Sequence, residues 1–221
     1  MFTGFSEKTI EFLWGIRFNN EKPWFEEHKE EYLTHLYRPM MELGRDVHQA
    51  LCDRFPNCGL NLHVCRIYRD ARRLHGRGPY KDHLWFTLRE EDERWAQTPV
   101  FWFEIGPEGY NYGLGCYSCT AERMERFRRH MDADPASMEK LTRQLQKQER
   151  FRLEGPEYAR KKPAASELLS PWYQKKCFAL TCDRPHDELE TSSALTAELV
   201  DAFCWLKPFY DHFRKLDKQA D

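Results

Sequence analysis

From Leu33 to Leu51 the apolar residues Leu33, Leu36, Met40, Leu43, Val47 and Leu51 step by three and four. That spacing draws one apolar stripe along a helix and suits no strand, whose faces alternate at every residue. The stripe belongs to a helical region running from about residue 22 to residue 55. Pro39 lies inside it, removes a backbone donor and crowds the preceding turn, so a kink or two consecutive helices is expected. Ahead of it, Ser6 reads as the N-cap of a first helix, with Phe5 placed to staple onto Ile10. Ile10, Leu13, Trp14 and Phe18 form that helix's stripe, and Asn19-Asn20 ends it.

After Phe55-Pro-Asn-Cys-Gly59 the period changes to two. Leu60, Leu62 and Val64 alternate with polar neighbours, Arg66 falls on their face, and the run reads as a strand over 60–68. Further strands are expected at 83–89, at 100–105 and, past the turn Gly106-Pro-Glu-Gly109, at 110–117. Helical patterns return at 121–131, 135–148 and 191–216, the last with Pro208 as an expected kink. Residues 150–175 are mixed, and 177–181 reads as a last strand. Helices first, strands in the centre and helices last is an α+β pattern. No linker interrupts it, so 1–221 is expected to be one domain: a central, mainly antiparallel sheet packed by N-terminal and C-terminal helices.

The chain is 41% hydrophobic and 14% aromatic, enough to build a core and to argue against disorder. Its net charge of -2 speaks against a general nucleic-acid coat. No apolar run approaches the ~20 residues that span a bilayer, so no membrane partner is expected. The first residues carry no basic segment and no long apolar segment, which points to a cytoplasmic protein with free thiols at all eight cysteines. Cys116, Cys119, Cys177 and Cys182 could make a four-thiolate zinc site, and His28, Glu31 and His35 share a helix face. The strand-like setting and wider spacing of the second cysteine pair favour buried small side chains, and an exposed polar face explains the second trio equally. The reading is therefore no metal. Phosphate-loop, dinucleotide, nucleophile-elbow and zinc-protease motifs are all missing, so no cofactor is implied.

One charge cluster stands out. Between Arg66 and Lys81 lie Arg66, Arg69, Arg72, Arg73, Arg77 and Lys81 against the single acid Asp70. Guanidinium forks match phosphate or carboxylate, and Gly76 and Gly78 permit close backbone approach. A small anionic, phosphate-bearing ligand is the expected partner. The competing reading is a structural clamp in which Arg69 and Asp70 pair with each other. Catalytic candidates are Glu104, which interrupts an apolar strand, and Asp70; Glu104's other role is a salt bridge with a loop arginine. Whether the chain is an enzyme stays open, with a hydrolase using one of these carboxylates as the alternative. Trp24 and Phe25 beside a basic loop could also suit single-stranded nucleic acid, although aromatics at helical spacing are usually core.

The chain resembles the domain-of-unknown-function 2461 family in two signatures. The first is carried by Phe2, Gly4, Phe5, Asn19, Asn20, Trp24, Phe25, His28, Lys29 and Tyr32. The second is carried by Arg66, Ile67, Tyr68, Arg69, Asp70, Arg72, Pro79, Tyr80 and Lys81. Looser similarity continues through the 101–117 hairpin, 151–155 and the last helix. The resemblance implies one α+β domain and no established activity. The chain departs from the family pattern at Arg73, His75, Gly76 and Arg77, which make a variable tip, and at Cys119. The candidate ligand-binding set is Arg66, Arg69, Arg72, Tyr80 and Lys81, joined by Asn19, Asn20 and Trp24 of the first signature.

Overall fold

The computed structural model describes every residue except 71, 73, 75, 92–94 and 219–221, together with the backbone but not the side chains of 216–218. Helices α1 (Glu7–Phe18), α2 (Lys22–Glu27), α3 (Lys29–Glu31) and α4 (Arg38–Arg54) come first, with a π-helical segment at Tyr32–Tyr37 leading into α4. Strands β1 (Asn61–Val64), β2 (Leu84–Arg89), β3 (Val100–Gly106) and β4 (Gly109–Gly115) follow. Then come α5 (Ala121–Ala133), α6 (Pro135–Gln146), β5 (Arg152–Glu154), α7 (Ser170–Gln174), β6 (Ala179–Pro185) and α8 (Ala194–Lys218). The strands form one antiparallel six-stranded sheet in the order β1-β2-β3-β4-β6-β5. This is the α+β class expected. Among the described residues no helix is long and apolar enough to cross a membrane.

The expected break at Pro39 takes a specific form. A residue without an N–H leaves the His35 carbonyl without its α-helical donor, and the chain runs through a π-helical segment just before the proline. The Thr9 hydroxyl donates to that carbonyl at 2.5 Å, while Thr9 Oγ1 accepts the Ser6 N–H at 3.1 Å. One side chain therefore both caps α1 and satisfies the interrupted helix. Phe5 packs on Phe2 and Phe103.

Chain contacts group into two compact units. The first holds Met1–Arg89, Trp102–Tyr112 and Asp183–Asp201. In it α4 lies on β1 and β2, and Gly44 admits the strand so closely that a Cβ there would stand 2.7 Å from Leu62 Cδ1. The second holds Glu90–Phe101, Gly113–Cys182 and Ala202–Asp221. Its core is aromatic: Phe127, Trp172, Phe178 and Phe213 meet ring to ring. Buried Trp172 donates to Thr142 Oγ1 at 3.0 Å.

Three expectations change. Strand β1 stops at Val64, the Cys65 N–H still bonds to the Trp85 carbonyl at 2.9 Å, and beyond it Tyr68 and Tyr80 form an isolated bridge. The short elements β5 and α7 occupy a stretch without clear periodicity. Cys119 and Cys177 are joined in a disulfide, so the thiols are not all free. The Cys116 N–H bonds to the Phe178 carbonyl at 3.4 Å, and this brings the two cysteine segments together with Cα atoms 5.2 Å apart, within bonding reach.

Candidate functional site

The basic stretch is a small hairpin. Arg69 N–H donates to the Pro79 carbonyl and Lys81 N–H to the Ile67 carbonyl, both at 2.8 Å, flanking the Tyr68–Tyr80 bridge. Asn20 locks it from the first signature: its Nδ2 donates to the Tyr80 carbonyl and its Oδ1 accepts the Tyr80 N–H, each at 2.9 Å. Beneath these bonds Tyr80 stacks on Phe25 with centroids 4.2 Å apart, and Tyr68 meets Phe25 edge-on. Gly78 is where Asn20 comes closest; a Cβ there would stand 2.2 Å from its Oδ1. The two sequence signatures are thus one interlocked structure.

Two of the cations turn inward. Arg69 Nε donates to the Tyr80 carbonyl at 2.7 Å, and its Nη2 lies 3.6 Å from Asp82 Oδ1. Asp82 also receives Arg17 Nε at 2.6 Å, and Arg17 reaches on to Glu108. Burial works against the charge on Asp82, but Arg17 and His83 outweigh it and hold its pKa below the ordinary value. Lys81 Nζ donates to the Arg66 and Tyr68 carbonyls and to Cys65 Sγ, and stands 4.7 Å above the Trp85 ring. Burial raises the Cys65 thiol pKa, with Lys81 opposing.

The bonds that Asp70 makes among the described residues go to Arg72, not to Arg69 as the clamp reading had it. Neighbours on an extended chain point to opposite sides. Asp70 instead accepts from the Arg72 N–H and Nε, each at 3.0 Å, and from Arg72 Nη2 at 2.6 Å. The Arg72 side chain so held is 88% exposed. Arg66 and Arg77 are exposed as well, and Tyr68 keeps 45% of its surface open. Arg73 and His75 lie outside the described residues.

The other candidates fall elsewhere. Asn19 is exposed and caps α1, its Nδ2 donating to the Gly15 carbonyl at 3.0 Å. Trp24 packs against Phe12, Gly15 and His28, and Phe25 is 1% exposed; both are engaged in packing. Glu104 shares a half-buried side of the sheet with Trp102 and Asn111, and accepts from Asn111 Nδ2 at 3.5 Å. Its hydrogen-bond partner among the described residues is that amide, not a loop arginine. Trp102 Nε1 donates to Asn111 Oδ1 at 2.7 Å. Among the described residues no three His, Cys, Asp or Glu side chains converge to hold a metal ion. Asp82, Arg17 and Tyr68 are the site's unforeseen members. Only Tyr68 carried a sequence signal, as a member of the second signature; Asp82 and Arg17 are brought together by folding.

A model of the family described as "Conserved hypothetical protein (DUF2461)" matches residues 8–212, and the chain belongs to that family. No curated protein matches it.

Proposed function

We propose that this DUF2461 member binds a small phosphate-bearing anion at the basic hairpin. Arg66, Arg72 and Arg77 would be the ligand-facing donors, and Arg69, Lys81, Tyr80 and Asn20 the frame. One observation carries the reading: the hairpin backbone is fixed by bonds that use none of those three guanidiniums, which stay exposed. A preordered backbone lowers the entropy lost on binding. Arg72 already holds an oxyanion, the Asp70 carboxylate, through two side-chain bonds, which is the fork geometry that phosphate also accepts. Tyr68 adds an open aromatic surface.

Thermal shift with inorganic phosphate, pyrophosphate and ADP tests this. At about 100 times Kd a ligand stabilises the folded state by about 2.7 kcal/mol, a rise of several degrees for a chain of this length. The rise should vanish in the Arg66→Ala/Arg72→Ala/Arg77→Ala variant. Absence of any shift in the wild type, or an undiminished shift in the variant, refutes the proposal.

A hydrolytic reading rests on Glu104, half-buried beside Asn111, rather than on Asp70, which Arg72 already engages. Its test is loss of any phosphate-ester turnover in Glu104→Gln. A cytoplasmic setting belongs to the same proposal. Alkylation in cells, before and after reduction, tests it: a fully formed Cys119–Cys177 bond would place the chain in an oxidising compartment.

A further inference from the structure

Between α1 and the turn after β6 lies a cavity of about 700 Å³. Glu7, Glu11 and Trp14 line one wall; their spacing puts them on a single face of α1. The other wall carries His186, Asp187, Glu188 and Glu190. Asp187 is matched by Arg184 at 2.6 Å. Glu7, Glu11 and Glu188 have no ion-pair partner among the described residues, so the cavity keeps uncompensated negative charge.

Glu190 has only 3% of its side chain exposed. Its Oε1 lies 2.7 Å from His186 Nδ1, and His186 Nε2 lies 3.0 Å from the Pro107 carbonyl. A carbonyl only accepts, so Nε2 carries a hydrogen. One further proton then sits between Nδ1 and Oε1, and the pair is neutral overall whichever partner holds it. Glu190 Oε2 is buried with no hydrogen-bond partner among the described residues. A buried acceptor without a donor marks a place where a donor is missing.

A metal ion does not fit, because no three of the acidic or imidazole groups converge. Carboxylates spread around a wall that also offers Ile10 and an indole suit a longer cation with several N–H donors. We propose that this cavity binds a small organic cation bearing primary-amine or guanidinium groups, with Glu7, Glu11 and Glu188 as the charged wall, Trp14 as the aromatic surface and Glu190 as the inner acceptor. The proposal is independent of the basic hairpin.

Calorimetric titration with agmatine and spermidine, with magnesium chloride as the control, tests it. Saturable agmatine binding is expected, weakened about threefold to fivefold by Glu11→Gln and again by Glu188→Gln, as exposed ion pairs allow. Both positions are exposed, so the variants should stay folded, which circular dichroism verifies. The hairpin triple-alanine variant should bind agmatine like the wild type, so the two sites fail separately. No saturable heat with either amine, unchanged affinity in both variants, or equal displacement by magnesium overturns the proposal.

Discussion

The basic hairpin and the acidic cavity lie in the same compact unit and handle charge in opposite ways. In the hairpin, cations dense along the sequence are answered locally in part: Arg69 by Asp82 and a carbonyl, Lys81 by carbonyls and a ring, Arg72 on one side by Asp70, while Arg66 and Arg77 stay exposed. In the cavity, acids from two ends of the chain meet and most have no ion-pair partner among the described residues, where one buried carboxylate oxygen also lacks a donor. A charge run in sequence measures how much charge is present. Only folding decides how much of it is left over for a ligand.

The comparison breaks first if the hairpin is not the rigid object its bonds describe. Gly78→Ala forces a Cβ to within 2.2 Å of Asn20 Oδ1 and 2.5 Å of the Asn20 backbone oxygen. Backbone cannot give way cheaply, so a loss of about 3 kcal/mol is expected in urea denaturation. Gly76→Ala, with open space around it and a φ of 78°, should lose only about 1 kcal/mol. Equal losses at the two glycines would mean that Asn20 does not hold the hairpin.

These two glycines also show how far the sequence could be read. The periodic stripes located the main helices and strands, because burial on one face is written every two or every three to four residues. The Gly-Arg-Gly-Pro turn was visible, but not that Gly78 faces Asn20, because the contact joins segments far apart in sequence. The same limit hid Asp82 as the partner of Arg69, the Cys119–Cys177 bond and the whole acidic cavity. The short elements β5 and α7 escaped because three to five residues carry no measurable period.

A pH series separates the two regions by sign. The folded pKa of Asp82 is lowered, so its contribution is full above the unfolded value of about 3.9 and is lost as pH falls through the folded value. Glu190 is the reverse: burial raises its pKa and His186 offsets this only in part. Its contribution is present below the unfolded value of about 4.3 and is lost as pH rises through the folded value. Asp82→Asn should therefore cost about 2 kcal/mol at neutral pH, with the gap closing on strong acidification. Glu190→Gln should be neutral or stabilising at pH 7 and lose that advantage in acid. Parallel curves for the two variants would show that the regions do not differ in this way.

The smallest effect discriminates within the hairpin itself. Arg69 is 18% exposed at its side chain, and its removal strips a donor from the Tyr80 carbonyl and one of the cations around Asp82. Asp82 retains Arg17, so the loss should be limited to about 2 kcal/mol rather than that of a fully orphaned buried charge. Arg72 grips Asp70 with better geometry but in water, where such pairs are worth about 0–1 kcal/mol. Arg69→Ala should thus exceed Arg72→Ala by about 1 kcal/mol in stability, while only Arg72→Ala weakens phosphate binding. If Arg72→Ala is the more destabilising of the two, the outward arginine belongs to the frame, and the donors proposed for the ligand shrink to Arg66 and Arg77.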